Sequence, residues 1–189
     1  MRIISGLNRG KKLIMPNDKT TRPLKDLAKE SIFNILTHAN YINFHLKDSK
    51  VLDLFSGIGS FGLECISRGS KFVFFLENYS PVLEILRNNI ANLKYENKSK
   101  VINIDAFKIN KNTFKIDQKF QIIFCDPPYK EKNIKLLIEN VIEMDILEKN
   151  GIIIIHRKKG NLDIYPKKFK VIDTKSYGLS KFVFGGKSN

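Results

Sequence analysis

The 189-residue sequence has few of the side chains that build covalently or metal-stabilised folds: two cysteines, three histidines and no tryptophan. Cys65 and Cys125 both lie inside apolar patterns, so one chain cannot assemble a disulfide framework or a four-ligand metal site from them. His38, His45 and His156 show no ligand spacing. We therefore expect no metal site and a reducing, cytoplasmic location.

Long apolar runs are also missing. The longest, such as 151–155, are far shorter than the roughly 20 residues that a membrane-spanning helix needs, and no charged-then-apolar leader opens the chain. We expect a soluble, unprocessed protein with no membrane partner. A hydrophobic content of 42% over 189 residues is enough for one domain with a sizeable core and a small appendage.

Positive charge is present in excess, with 33 Lys and Arg against 19 Asp and Glu, a net charge of +14. Residues 1–30 carry +5 and residues 156–189 carry +7, whereas the 125 residues between them carry only +2. Clustered cations bind polyanions because neutralised phosphates release counterions. The distribution favours a near-neutral core flanked by surfaces for nucleic acid. Lysine enrichment without function is the alternative, since 27 of the 33 cations are lysine.

The hydrophobic pattern divides the chain into an appendage, 1–45, and a larger domain, 46–189. In the appendage we predict a hairpin over 2–14 and a helix from Leu24 to about Ala39, where apolar residues recur at three-and-four spacing. The domain alternates continuous apolar runs with helical stretches near 60–69, 79–94 and 131–147. Such runs are typical of parallel strands buried on both faces. We predict an α/β fold: a mostly parallel seven-stranded sheet, helices on both faces and an antiparallel C-terminal hairpin.

A glycine-rich loop, D-L-F-S-G-I-G-S-F-G from Asp53 to Gly62, follows the first core strand and contains G-x-G-x-x-G. Such glycines let a ligand approach backbone N–H groups at a helix N-terminus. Glu77 ends the next strand, where a carboxylate can bind both ribose hydroxyls of an adenosine. Asp53 would repel a diphosphate and attract an ammonium or sulfonium group, which disfavours a nicotinamide cofactor. A glycine turn without a ligand is the alternative.

This loop resembles the S-adenosylmethionine loop of Rossmann-like, class I methyltransferases. The resemblance implies S-adenosylmethionine as the cofactor. It implies that the methionine part is lined by Asp53, Phe55, Gly57 and Gly59, that Glu77 holds the ribose, and that Asp105 and Ala106 flank the adenine.

The segment Asp126, Pro127, Pro128 and Tyr129 ends the fourth core strand, at the sheet edge where such folds bind ligands. It is suited to methyl transfer onto a planar NH₂ group. Asp126 and the Pro127 carbonyl can each accept one N–H and so direct the nitrogen lone pair towards a methyl donor. The prolines keep that carbonyl fixed, and Tyr129 can stack on a flipped base. A proline corner with a capping acid is the alternative.

D-P-P-Y resembles the signature of amino-methyltransferases that act on adenine N6, cytosine N4, guanine N2 and glutamine amides. It therefore predicts the type of atom that is methylated and leaves the substrate open.

Five segments, in order and spacing, resemble the bacterial 16S ribosomal RNA guanine-N2 methyltransferase family over nearly the whole chain. They are R-I-I-S-G-L-N-R-G-K-K-L, T-R-P-L-K-D-L-A-K-E-S-I-F-N-I-L, V-L-D-L-F-S-G-I-G-S-F-G-L-E-C-I-S-R-G-S, which contains the glycine loop, D-P-P-Y and S-Y-G-L-S-K-F-V-F. The resemblance implies methylation of guanine N2 in 16S ribosomal RNA, free or in the assembling small subunit. It also implies that RNA contact or site closure involves Arg2, Arg9, Gly10, Arg22 and Pro23. Lys11 and Lys12 are further RNA-binding candidates, because they are positively charged and lie in the same hairpin.

The sequence departs from the family pattern at three places. Leu24 replaces a threonine and Lys29 replaces an arginine, which retains the charge but loses the bidentate fork. Near His156 the family often has an acid, so we expect a structural role for this histidine. We expect a monomer. The alternatives are a DNA adenine-N6 or protein-glutamine methyltransferase, a non-catalytic RNA-binding assembly factor, and a nicotinamide-dependent oxidoreductase.

Overall fold

The computed structural model describes residues 1–16, 26–114 and 117–188. The helices are α1 (Asp26–His38), α2 (Ser60–Ser67), α3 (Ser80–Asn92) and α4 (Ile134–Glu143). The strands are β1 (Lys50–Asp53), β2 (Phe72–Leu76), β3 (Ser99–Ile102), β4 (Phe120–Cys125), β5 (Leu147–Lys158), β6 (Phe169–Tyr177) and β7 (Ser180–Lys187). Two single turns of 3₁₀ helix occupy Glu96–Lys98 and Ala106–Lys108. No helix within the described ranges has the length and apolar character needed to cross a membrane.

Seven strands form one sheet in the order β3-β2-β1-β4-β5-β7-β6. The first five are parallel, and β7 lies antiparallel between β5 and β6. The predicted fold, including the C-terminal hairpin, is confirmed. The chain moves outward from β1 on one side and from β4 on the other, so the carboxyl ends of these two strands flank the switch point where α/β sheets bind ligands.

Alternate residues of the central strands belong to two separate cores. On one face Val51, Ile122 and Ile154 pack with α1, α2 and α3. On the other face Leu52 and Ile123 pack with α4. Burial on both faces explains why these strands are continuously apolar.

The predicted helix over 131–147 is too long. α4 ends at Glu143, and β5 already begins at Leu147. The apolar pattern continues through buried Ile146 and Leu147, but Asp145 has a φ of 54°. That left-handed conformation ends a helix, and periodicity alone does not reveal it.

The predicted N-terminal hairpin forms with little regular strand. The N–H of Ile3 donates to the carbonyl of Lys11 at 2.9 Å, and the N–H of Gly10 donates to the carbonyl of Ile3 at 2.9 Å. The ladder is a single antiparallel bridge between Arg2 and Lys12. The predicted helix is found as α1, whereas its proposed start at Leu24 lies outside the described residues.

Buried charges fasten the N-terminal segment to α2. Glu64, which is fully buried, accepts hydrogen bonds from the N–H groups of Ile4 at 2.7 Å and Ser5 at 2.9 Å. Its carboxylate also pairs with Arg68 at 2.8 Å and with Lys29, likewise fully buried, at 3.4 Å. Burial lowers the pKa of Lys29, and the nearby Glu64 opposes this shift. Lys29, at the family's arginine position, therefore forms a buried ion pair in this chain.

Replacing Glu64 by Gln should lower the free energy of unfolding by about 3–5 kcal/mol, because it leaves buried Lys29 without a counter-charge. Chemical denaturation measures the change. Asp145→Asn is the matched control, since Asp145, like Glu64, pairs with two cations but its side chain is 57% exposed. Its loss should stay below about 1 kcal/mol. Equal losses for the two variants would contradict the role of Glu64.

Candidate active site

The glycine loop joins β1 to α2 in a conformation that requires glycine. Gly57 has a φ of 51° and Gly59 a φ of 85°. A Cβ atom on Gly59 would lie 2.6 Å from Cδ1 of Leu86 on α3. A larger side chain there would therefore clash with Leu86 and strain the left-handed backbone of the loop.

Glu77 connects the end of β2 to this loop. Its Oε2 accepts a hydrogen bond from the Gly57 N–H at 2.8 Å, and its Oε1 accepts from the N–H groups of Asn78 and Tyr79. The half-buried carboxylate retains acceptor capacity on Oε2. The structure thus brings together two of the predicted cofactor residues, Glu77 and Gly57.

Asp53, the last residue of β1, is buried with 1% exposure. Burial raises the pKa of its carboxyl to about 8, the Gly62 N–H at 3.2 Å opposes the shift, and the charges of Asp126 and Glu77 add to it. A positive group nearby would favour the ionised form. The charges of Asp126 and Glu77 reach Asp53, so this site suits a cationic sulfonium or ammonium ligand and disfavours a diphosphate.

Asp105 and Ala106 follow β3, and the next residue, Phe107, contacts the glycine loop. The Asp105 carboxylate accepts a hydrogen bond from the Phe107 N–H at 2.9 Å and so caps the 3₁₀ turn that contains buried Ala106. The Phe107 ring lies against Phe55, with centroids 5.9 Å apart. The residues predicted to flank adenine therefore share one neighbourhood with Phe55 of the loop.

Asp126 directly follows β4 and is held by a histidine of β5. Its Oδ1 lies 2.7 Å from Nδ1 of His156. Nε2 of that ring lies 2.9 Å from the Ser180 hydroxyl and 3.5 Å from the Tyr129 hydroxyl. The imidazole is 5% exposed and stacks on Phe182 at 4.5 Å.

This geometry fixes the roles of the imidazole nitrogens when Asp126 is ionised. Nδ1–H then donates to the carboxylate, and in the neutral ring Nε2 accepts from Ser180. Sequence reasoning gave His156 no part in the site. The missed signal is its position in β5, because β4 pairs with β5 in the parallel register Cys125↔Ile155, which makes the next residues neighbours.

The turn that contains Pro127 and Pro128 is fixed by buried Arg157, which is 2% exposed. The Arg157 guanidinium donates to the carbonyls of Pro128 at 3.4 Å and Glu131 at 2.6 Å. It also pairs with Asp163 at 3.0 Å. Pro127 is buried, whereas Pro128 is exposed and Tyr129 is half-buried. Arg157 was missed because no sequence motif marks a charge that binds carbonyl groups.

The basic hairpin is tied to the glycine loop. Asn89 of α3 donates to the carbonyls of Ile14 and Ile58, each at 3.1 Å, and accepts from the Ile14 N–H at 2.7 Å. The predicted RNA-contact residues of the hairpin are all exposed: Arg2, Arg9, Gly10, Lys11 and Lys12. Arg2 pairs with Asp26 at 3.4 Å. Arg22 and Pro23 lie outside the described residues.

Residues 1–16, 26–114 and 117–188 contain no cluster of three or more His, Cys, Asp or Glu side chains that could hold a metal ion. The sheet order, the glycine loop and the Asp-Pro-Pro-Tyr turn define a Rossmann-like methyltransferase fold.

Known proteins match this chain in sequence and structure. Residues 1–186 match the family described as Conserved hypothetical protein 95, and the chain belongs to that family. The Ribosomal RNA small subunit methyltransferase D of Haemophilus influenzae is 34% identical over 190 residues, which cover 96% of this chain and 91% of that protein. The protein of that name in Escherichia coli K12 is 35% identical over 153 residues, covering 80% and 68%.

Two solved structures are similar to this chain over nearly their whole length. The yhhF protein of Escherichia coli has a TM-score of 0.83 at 25% identity and covers 100% of this chain and 98% of its own. A structure from Haemophilus influenzae has a TM-score of 0.75 at 31% identity and covers 97% and 96%. The predicted family resemblance is thereby confirmed.

Asp53→Asn should change how stability depends on pH. The folded pKa of about 8 exceeds the usual 3.8, so the folded protein binds an extra proton and the wild type loses stability as pH rises from about 4 to 8. The variant should gain up to about 1.4 kcal/mol per pH unit relative to wild type over that range. Urea denaturation at several pH values measures the gain.

Asp145→Asn is the control for this pH series, because the pKa of Asp145 is lowered to about 2 by Lys119 and Lys187. The stability that ionised Asp145 contributes is lost only below about pH 4. The free energy of unfolding of Asp145→Asn should therefore differ from that of the wild type by a constant amount between pH 4 and 8. Parallel pH profiles for wild type and Asp53→Asn would contradict the raised pKa.

Proposed function

We propose that this protein transfers a methyl group from S-adenosylmethionine to the exocyclic N2 amine of a guanine in 16S ribosomal RNA. The observation that carries the proposal is the Asp126 carboxylate, held by His156 at the same sheet edge as the glycine loop with Asp53 and Glu77. Family membership supports it, since relatives over most of the chain are named Ribosomal RNA small subunit methyltransferase D. The chain is an RNA methyltransferase.

The cofactor residues divide by chemistry. When bound, S-adenosylmethionine supplies an electrophilic methyl group on a sulfonium. We assign Asp53, Phe55, Gly57 and Gly59 to its methionine part, Glu77 to the ribose, and Asp105 with Ala106 to the adenine. The Glu77 carboxylate attracts a cationic ligand, such a ligand would in turn favour the ionised form of Asp53, and the loop glycines let the ligand approach the backbone.

Asp126 and the Pro127 carbonyl would accept the two N–H groups of the guanine amine. His156 holds Oδ1 of Asp126, whereas Oδ2 has no hydrogen-bond partner within the described part of the chain and faces no competition for the amine. With both N–H groups held, the nitrogen lone pair turns out of the base plane. The methylated nitrogen is acidic and loses its proton readily, so no strong base is needed.

The remaining residues position the turn and the base. Arg157 fixes the backbone after Pro128, which gives preorganised acceptors that need no rearrangement during reaction. Tyr129 stacks on the flipped guanine. In-line placement of amine and methyl donor would supply most of the rate gain, for which about 7–11 kcal/mol is available in favourable cases.

Residues 1–45 form the RNA-contacting part of the proposal and 46–189 the methyltransferase domain. The RNA-contact residues are Arg2, Arg9, Lys11, Lys12, Arg22 and Pro23. We propose a cytoplasmic monomer that acts on 16S ribosomal RNA or on the assembling small subunit.

A substrate comparison tests the function directly. Labelled S-adenosylmethionine is incubated with small ribosomal subunits from cells lacking this protein, with free 16S RNA, with DNA and with a release factor. We expect label at guanine N2 in ribosomal RNA, located by a base-resolution methylation map. Label only in DNA or only in protein would contradict the proposal and favour another amino-methyltransferase.

Asp126→Ala should reduce turnover by at least about 100-fold, because the amine loses one of its two acceptors. S-adenosylmethionine binding, measured by calorimetry, should remain close to wild type. Asp145→Asn changes an acid just before the amino-terminal end of β5, at the opposite sheet edge from the turn, and should leave turnover unchanged. Near-wild-type turnover by Asp126→Ala would remove this residue from the mechanism.

Reversing the charges of Arg9, Lys11 and Lys12 to Glu should flatten the salt dependence of RNA binding. Each lost phosphate contact lowers the slope of log K against log salt concentration by about 0.7–0.9. The same reversal at exposed Lys71, Lys98 and Lys100, near the starts of β2 and β3, serves as control. Equal slopes for the two triple variants would contradict RNA contact by the hairpin.

A further inference from the structure

A cleft of about 710 Å³ opens beside the Asp-Pro-Pro-Tyr turn. We call it the lysine cleft and define it by six of its lining residues: Tyr129, Lys130, Lys132, Lys135, Leu162 and Ile164. Its volume falls within the range of about 300–1,000 Å³ that is usual for small-ligand sites. Tyr129 belongs both to this cleft and to the candidate active site, so the two are continuous.

The walls of the lysine cleft are held at a fixed separation. Arg157, which also lines it, donates to the Glu131 carbonyl on one wall and pairs with Asp163 on the other. The Asn161 side chain donates to the Tyr129 carbonyl at 3.4 Å. A ligand would therefore meet a preformed surface, which reduces the ordering cost of binding.

The two acids that line the cleft differ: Asp163 is paired with cations, whereas Glu131, within the described residues, is bonded only to backbone N–H groups. Asp163 pairs with Arg157 at 3.0 Å and with Lys181 at 3.9 Å. Glu131 accepts hydrogen bonds from the N–H groups of Lys132 and Asn133. In the part of the chain that the structure describes, Lys130, Lys132 and Lys135 form no ion pair within 4.0 Å. The cleft thus presents three lysine cations and one carboxylate, Glu131, that has no cation within 4.0 Å in the described structure, so cations remain in excess.

Two apolar side chains lie among these cations. Leu162 is 97% exposed and Ile164 is 75% exposed. Lysines combined with apolar side chains match a nucleotide, whose phosphates are anionic and whose base has an apolar face. Tyr129 lies in both the cleft and the candidate active site. A nucleotide in the cleft would therefore belong to the same RNA strand as the base in the active site.

We propose that the lysine cleft binds the single-stranded nucleotides that flank the methylated guanine in the substrate RNA. Lys130, Lys132 and Lys135 contact phosphates, and Leu162 and Ile164 contact a neighbouring base. This site rests on the proposed function and adds a second RNA-binding surface to the basic hairpin. The cleft holds the RNA strand next to Tyr129 and so increases the affinity for RNA. It takes no part in the methyl transfer step, in which Asp126 acts.

The triple variant Lys130→Gln/Lys132→Gln/Lys135→Gln tests this site, with Lys71→Gln/Lys98→Gln/Lys100→Gln as the control of equal charge change. Methyl transfer is measured on small ribosomal subunits from cells lacking this protein. We expect KM for the subunit to rise about tenfold in the cleft variant, with kcat within about twofold of wild type. The salt slope of binding should fall by about 2, because single-stranded contacts contribute about 0.7 each. The control should match wild type in both.

A photo-crosslinking residue placed at exposed position 162 locates the bound nucleotide. We expect cross-links to nucleotides adjacent to the methylated guanine, and none from the same residue at position 71. Cross-links confined to distant RNA or to ribosomal protein would overturn the proposal, as would unchanged KM and salt slope in the cleft variant. Failure of the wild type to methylate RNA would instead overturn the proposed function, so the two failures are distinguishable.

Discussion

The candidate site depends on the parallel hydrogen-bonded register of β2, β1, β4 and β5. Asp53 pairs with Phe75 of β2 on one side and with Phe124 of β4 on the other. The same ladder aligns Cys125 with Ile155. Residues that lie far apart in the sequence therefore leave the sheet at one edge. A register shift of one residue would turn these side chains to the opposite face and dismantle the site without removing any residue.

The protein buries charge in two different ways. Glu64 is buried with Lys29 and Arg68, so its charge is compensated and it fastens the N-terminal segment to α2. Burial raises the pKa of Asp53 to about 8, because the Gly62 N–H opposes the shift only in part and no cation lies within 4.0 Å of the carboxyl in the described structure. The first arrangement supports the fold. The second lowers stability near neutral pH and is the kind of local conflict that functional sites retain.

The sequence predicted those features that depend on local pattern. Continuous apolar runs identified the parallel strands, and G-x-G with Glu77 and D-P-P-Y marked residues that the structure brings to one edge. Contacts across strands were not predictable. His156 reaches Asp126 because β5 lies beside β4, and Arg157 acts on backbone carbonyls, which carry no sequence signature. The boundary of α4 was misplaced because a left-handed Asp145 interrupts an otherwise continuous apolar pattern.

Charge counted along the sequence also differs from charge presented at a surface. In the sequence, the net positive charge is concentrated at the two ends of the chain, and the middle segment is near-neutral. Yet Lys130, Lys132 and Lys135 lie in that middle segment, beside the turn that we assign to catalysis. Of the two acids in this region that line the lysine cleft, Asp163 is held in a pair with Arg157, whereas Glu131 accepts hydrogen bonds from its own backbone neighbours. In the net charge of the segment, acids and lysines nearly cancel. In the folded protein the three lysines lie at the cleft surface, whereas Asp163 is paired with Arg157. The surface that an RNA strand would meet next to Tyr129 is consequently more basic than the composition of its own segment.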